Sequence, residues 1–446
     1  MTSHRPKVAV VGGGISGLAA AHALSADADV TLFEAGDYFG GHAHTVDISL
    51  PATVISATKV SHGVDTGFLV YNDRTYPQLI RLFAELGVET AASEMSFSVQ
   101  APHRSGRTVE WSGNNLDTVF AQRRNLLDAR FLGMLRDLLR FNKLTTRIAT
   151  AGTEGEFAQP LGAFLDQHRF GTAFRDWYFL PMMGCIWSCP TRQMLEFPVA
   201  TMIRFCHNHG LIQVADRPQW RTVRGGSRNY VQKMVAQLAD ARLNARVQRI
   251  TRHAGAVQIA TEFGIETFDH LVLATHSDQA LALLGDESPA ERAALGAIRY
   301  QANHAVLHTD TGVLPQNRAA WAAWNYERAA PGQGEQDGGV CLHYLLNKLQ
   351  PLPWQQSVVV SLNPVRPIRR SQVMAEYDYA HPVFDLAAMR AQAAIGDLQG
   401  QRNTWFAGAW MGYGFHEDGL KAGLAAAAGV RARIGHENQA PERLAA

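Results

Sequence analysis

Four cysteines in 446 residues are too few for a disulfide framework. Cys185 and Cys189 stand four apart before Pro190, but no second pair completes a zinc site. They, Cys206 and Cys341 read as buried thiols in a reducing compartment, and no metal is expected. Charge of one sign is also missing: 41 basic and 40 acidic residues leave a net charge of +1. That removes any bulk electrostatic case for nucleic acid. No apolar run reaches the length of a membrane span, and the polar residues 1–6 do not form a signal peptide. The expected location is the cytoplasm. What is present, 46% hydrophobic and 18% charged residues, is a globular composition of a length that suits two domains.

The most informative stretch is residues 7–45. Lys7 to Val11 is a short apolar run, read as a buried strand. It enters Gly12-Gly13-Gly14-Ile15-Ser16-Gly17, which fits G-x-G-x-x-G, and an Ala-rich helix follows to Leu24. Gly12 permits the tight turn, Gly14 lets the backbone touch a pyrophosphate, and Gly17 lets the helix approach the strand. The helix start at Ile15 and Ser16 offers free N–H groups to phosphate. A second strand, Asp29 to Phe33, ends at Glu34-Ala35. Glu34 stands where a carboxylate binds ribose hydroxyls, and its charge disfavours the 2′-phosphate of NADP. A second loop, Asp37 to Thr45, brings Gly40-Gly41-His42 close to the first turn. The small residues of Thr66-Gly67-Phe68 suggest backbone beside a ligand.

The glycine turn alone leaves NAD and FAD open. The far end of the chain decides for FAD. Ala407 to Gly423 reads as a strand end, a glycine-rich loop and a helix start. A helix N-terminus there would stabilise negative charge on a reduced flavin. No second G-x-G-x-x-G appears, so a separate NAD(P)H site is not expected.

Between these anchors the character changes. Leucines and phenylalanines recur at helical spacing over 114–149, interleaved with Arg123, Arg124, Arg130, Arg136, Arg140, Lys143 and Arg147. The plain reading is an amphipathic cap with a solvated basic face; the sharper one is peripheral contact with an anionic inner membrane. Residues 161–206 are rich in Phe, Trp and Met, a set that lines either a core or an apolar cavity. Strands are expected at 46–61 (a hairpin), 95–111, 245–250, 256–260, 268–275, 300–309, 339–345 and 357–363. A flexible loop is expected at 327–338, and a helix opening at 220–227 that runs to Leu238.

With both anchors read, the chain resembles the flavin-containing amine oxidase superfamily, which includes phytoene desaturases and protoporphyrinogen oxidase. The carriers are VGGGISGL, FEAGDYFGGHAHT, VDTGFLVYN, IWSCP, WRTVRGGSRNYV, YAHPVFD and WFAGAWMGYGFHEDGLKAG. The resemblance implies an α/β fold: an FAD-binding Rossmann-like domain, an interleaved α+β substrate domain and a helical cap. The implied FAD segments are 1–75, 215–282 and 398–435. The substrate segments are 76–214 and 283–397, with the cap at 114–206 and a flexible tail at 436–446. It also implies that Val247 binds adenine, Ala274 and Thr275 lie by the cofactor, Gly408 approaches the pyrophosphate, and Asp418-Gly419-Leu420 reach the ribityl and pyrimidine end.

The chain departs from that superfamily at four positions. Tyr38 and His42 stand where arginine is usual, and Ala409 where an acid is frequent. His304 occupies the strand that carries a lysine near the flavin in amine oxidases. His304, Tyr413, His416 and His381 are the candidates for proton handling. The leading expectation is an FAD-dependent desaturase or oxidase of an apolar substrate, a fatty-acyl chain in lipid or phospholipid. The alternatives are a flavin amine oxidase, with Trp410 and Tyr413 as an aromatic pair, and a non-catalytic flavoprotein that serves a lipid-modifying enzyme.

Overall fold

The computed structural model describes residues 5–53, 58–153, 157, 159–187, 191–212, 217–328 and 340–444. Its organising element is a five-stranded parallel sheet. The strand order is Asp240–Arg242, Asp29–Phe33, Lys7–Val11, His270–Leu273, Thr404–Phe406. Its strands come from three stretches of chain, far apart in sequence. Strands buried on both faces need no polar alternation, which is why Val8 to Val11 are apolar without a break. Val8 and Val10 face one core with the Ala-rich helix Ile15–Leu24 and the closing helix His416–Leu444. Ala9 and Val11 face another with Val247, Ile250, Leu271 and Leu273.

A second, seven-stranded mixed sheet carries the remaining half. Its order is Val373–Pro382, Tyr300–His308, Val359–Leu362, Cys341–Leu345, Trp324–Glu327, Phe97–Pro102, Thr108–Ser112. Helices between 116 and 208 cap it and share its core, which includes Trp111, Phe131, Phe141, Phe174, Phe179 and Phe205. The core on the mixed sheet is separate from the two on the parallel sheet, and it also takes in Ile48, Leu50, Val64, Leu69 and Val70.

Several local expectations change. Trp220–Val223 is a strand, pairing with Tyr71–Asn72 and Thr90–Ala92, and the helix starts only at Arg228. The apolar run at 268–275 is the junction of two strands, Gly264–Phe268 and His270–Leu273. Val373–Pro382 is a ten-residue strand that had no expectation. The closing helix is continuous through Leu444, in place of a tail from 436. The hairpin strands are Thr45–Pro51 and Lys59–Asp65. Most of the expected loop at 327–338 lies outside the described residues.

Candidate active site

The first turn is set by Gly12. Its φ is +107°, and a Cβ there would lie 2.7 Å from the Ala274 carbonyl oxygen. Its N–H donates to Phe33 O at 2.8 Å, which ties the turn to the second strand. A Cβ on Gly17 would overlap Gly12 O, so the helix can sit this close only with glycine at 17. Gly14 differs, because a Cβ there would meet nothing within 4 Å. It borders open space at the helix N-terminus, where free N–H groups gather. Glu34 accepts hydrogen bonds from Gly13 N–H and Gly36 N–H, each at 2.7 Å. Gly40 N–H donates to Gly13 O at 2.8 Å, which brings the second glycine loop onto the first.

The other end of the chain completes the enclosure. Trp410 Nε1–H donates to Thr275 O at 3.0 Å. The Gln392 amide donates to the carbonyls of Trp410 and Gly412. Gly419 and Gly423 sit against Ile15 and Ser16 so tightly that a Cβ on Gly423 would overlap Ser16 O. The first and closing helices are thus interlocked, and residues 12–17 lie beside 408–423.

These elements enclose a cavity of about 770 Å³, within the size range of ligand sites. One end is walled by Gly12 to Ser16, Glu34 to Gly36 and Ala245 to Val247. The middle is walled by Gly40 to His42, Gly67-Phe68, Ala274 to His276 and Gly408 to Trp410. The remaining wall is mostly apolar, with Met95, Ile186, Phe205, Leu211, Trp220, Trp324 and Tyr344, and His209 stacked on Phe205 among them. Among the described lining residues Glu34 is the only carboxylate and no lysine occurs.

Five histidines border this space, and all are held neutral. Burial pushes His416 down to about 3 and His381 and His209 to about 4. Burial also lowers His276 and takes His42 well below its ordinary value. His416 stacks on Phe68 and pairs through Nε2 with the Tyr230 hydroxyl at 2.6 Å. His381 Nδ1 meets the Asn303 amide at 2.9 Å. His209 Nδ1 donates to Phe205 O at 3.0 Å, which leaves its Nε2 as an acceptor. His42 Nε2 is buried with no hydrogen-bond partner among the described residues.

The expected site residues separate into three groups. Gly12, Gly14, Ile15, Ser16, Glu34, Ala35, Gly40, Gly41, His42, Gly67, Phe68, Val247, Ala274, Gly408 and His416 all line the cavity. Gly17, Thr66, Asp418, Gly419 and Leu420 stand behind its wall. Thr66 is hydrogen-bonded to Tyr379 OH at 2.7 Å. Asp418 accepts from the N–H groups of Tyr413 and Phe415, which fixes the loop before the closing helix. Leu420 is core. It is therefore Gly414 and Phe415 of the loop, with His416 at the helix start, that face the cavity, and not Asp418 to Leu420.

Two expected proton-handling residues are misplaced. His304 lies on the exposed face of its strand, bonded to Asp378 at 3.0 Å and near Glu376 at 3.3 Å, away from the cavity. Tyr413 is off the wall, its ring packed on Phe205 and its carbonyl accepting from Trp187 Nε1–H, so it forms no cavity pair with Trp410. His209, His276, Tyr300, Trp324 and Tyr344 had no expectation as site residues. His276 directly follows Ala274-Thr275, and that adjacency was the available signal.

Glu327, Cys341 and His343 form a buried cluster whose ligand atoms lie within 4.8 Å of one another. Glu327 is ion-paired with Arg366 at 2.6 Å, and His343 bonds both Glu327 and Ser361. The guanidinium already neutralises the carboxylate, so this is a closed polar network across the mixed sheet.

A dinucleotide fits the observed groups: the open face of Gly14, the N–H donors of the helix N-terminus, the Glu34 carboxylate as acceptor and His42 Nε2, unpartnered among the described residues. The comparisons bear on which one. Residues 15–337 match the family described as flavin containing amine oxidoreductase. Polyamine oxidase 5 from Oryza sativa subsp. japonica is 45% identical over 78 residues, which is 17% of this chain and 14% of that protein. Two solved structures share the fold across nearly the whole chain. A CLA-producing fatty acid isomerase from P. acnes has a TM-score of 0.66 at 17% identity, covering 94% of this chain and 97% of its own. A putative protoporphyrinogen oxidase from Exiguobacterium sp. 255-15 has a TM-score of 0.67 at 16% identity, covering 97% and 100%. With a cradle built for an adenine dinucleotide and a family match over most of its length, the chain belongs to the flavin containing amine oxidoreductase family and is an FAD-dependent oxidoreductase.

Proposed function

We propose that the enzyme oxidises an apolar substrate, a fatty-acyl chain carried in lipid or phospholipid. The observation that carries this reading is the composition of the apolar end of the cavity. Its described wall residues include Met95, Ile186, Phe205, Leu211, Trp220, Trp324 and Tyr344, and none of those described there is a carboxylate that would meet an ammonium. An acyl chain gains from burial there, at about 0.8 kcal/mol per methylene. A charged amine would lose its hydration with no counter-charge among the described residues of that wall.

Bound FAD supplies the hydride acceptor. The chain's residues would do three things. Glu34, the first helix N-terminus and His42 would hold the dinucleotide. The aromatic wall would hold the C–H bond in place and exclude water. His209, neutral and with Nε2 free to accept, would take the proton that leaves the adjacent carbon. Removal of two hydrogens would balance with bound FAD as the hydride acceptor and His209 Nε2 as the holder of the proton.

An amine oxidase is the second reading, favoured by the short match to polyamine oxidase 5. Anaerobic mixing separates the two. Acyl phospholipids are expected to bleach the oxidised flavin spectrum, and polyamines and monoamines to leave it unchanged. Bleaching by amines alone overturns the acyl reading. Lipid binding with no bleaching by any substrate would instead indicate a non-catalytic flavoprotein.

A further inference from the structure

Large apolar side chains left in water are scarce on this surface and unevenly placed. Five of the eleven such residues among the described ones lie between 116 and 139: Leu116, Leu126, Leu127, Leu132 and Leu139. Leu127 is 92% exposed and Leu116 77%. Exposure concentrated in one stretch of chain points to a contact surface more than single residues scattered along the sequence would.

The helix Ala129–Ala151 explains the arrangement. One side, with Phe131, Met134, Phe141 and Ile148, is buried. The other carries Leu132, Arg136, Leu139, Lys143 and Arg147, all exposed, at spacings of four, three, four and four. Such spacing forms one stripe along a helix. The acids of the stretch offset it only in part. Asp137 is buried, accepts from Gly171 N–H at 2.9 Å and pairs with Arg140 at 3.3 Å and more loosely with Arg136 at 3.9 Å, which leaves Lys143 and Arg147 as the stripe's less compensated cations. Asp128 is held by Arg107. Asp117 is paired with Arg123. The outward charge is cationic and alternates with leucine.

We propose that this face, Leu116 to Arg147, docks the enzyme on an anionic phospholipid leaflet. The leucines enter the headgroup–acyl boundary, and the long basic side chains reach lipid phosphates beside them. Charge complementarity selects this occupant over a second copy of the chain, whose matching face carries the same sign. The docking helix packs by its buried side on Val199–Asn208, whose Phe205 lines the apolar end of the cavity. A lipid surface on this face would thus lie one helix away from the site. This deepens the acyl-chain reading, but its test uses binding alone, so either one can fail without the other.

The test is co-sedimentation of the FAD-loaded protein with vesicles of phosphatidylglycerol and phosphatidylcholine, or of phosphatidylcholine alone. Binding is expected only to the anionic vesicles and is expected to fall as salt rises. Lys143→Glu with Arg147→Glu is expected to weaken it by about thirtyfold or more, at roughly fivefold per basic residue removed. Leu127→Asp with Leu139→Asp is expected to abolish it. Both pairs are exposed, so flavin content and the circular dichroism spectrum are expected to match the parent. Equal binding to both vesicle types, no binding at all, or wild-type binding by both variants overturns the proposal. So does a parent protein that is dimeric by light scattering and becomes monomeric in the leucine variant.

Discussion

Replacing Gly14 by alanine is expected to remove FAD while leaving the apoprotein fold intact. At Gly14 φ is −74° and ψ is −179°, which any residue adopts. The new methyl would meet no protein atom within 4 Å. Stability of the apoprotein should stay constant or rise by about 0.4–1 kcal/mol, because alanine restricts the unfolded chain. The same methyl enters the space where the helix N-terminus meets phosphate. Losing one or two charge-assisted hydrogen bonds there costs about 2–4 kcal/mol, a rise in Kd of about thirtyfold to several hundredfold. Gly17→Ala is the control in the opposite sense. Its methyl collides with Gly12 O, so the apoprotein itself should lose about 1–3 kcal/mol. Flavin fluorescence titration of the apoprotein gives Kd, and urea unfolding gives stability. A Gly14→Ala protein with wild-type FAD affinity would refute the placement of the pyrophosphate.

Other outcomes follow from the same geometry. His304→Ala should leave FAD affinity and the rate of flavin reduction unchanged, since the side chain is exposed and off the cavity; a large loss in stopped-flow reduction would return it to the site. Tyr230→Phe removes the hydroxyl that His416 Nε2 contacts, and should cost about 1–3 kcal/mol in chemical denaturation. Burial depresses the histidines at the cavity, so the unfolded chain binds more protons than the native one below its ordinary histidine range. Their contribution is present above about pH 6.5 and is lost as pH falls toward 4 and then 3. Unfolding free energy measured from pH 7 to 4 should fall; Asp65, pushed up to about 6 by burial, acts in the opposite direction over part of that range. A flat profile would mean that these imidazoles are solvated.

Local chemistry was legible in the sequence, and register was not. The turn at Gly12 to Gly17 and the position of Glu34 depend on residues close in sequence, so spacing placed them. Val373–Pro382 has no clean apolar alternation, its residues being half-buried or exposed in turn, and nothing local marked it. Yet its pairing with Tyr300–His308 is what delivers His381 to the cavity, opposite Gln301. The same strand shows why His304 misled. Asn303 points inward and His304 outward, and side chains alternate at every step, so being one residue off changes the face. Trp324 and Tyr344 reach the wall only because two short strands pair at that point. The aromatic middle is mostly core, and only packing distinguishes Phe205, on the wall, from Phe164 and Phe174.

The interlock of Gly423 with Ser16 sets an order of events during synthesis. The glycine turn leaves the ribosome first, and the loop that closes over it emerges some four hundred residues later. At about 5–20 residues per second, that is a delay of roughly 20–80 s. The nascent amino-terminal unit spends this interval with its nucleotide cradle open on one side, so flavin capture belongs to the end of translation. A ribosome stalled before residue 408 should carry no bound FAD.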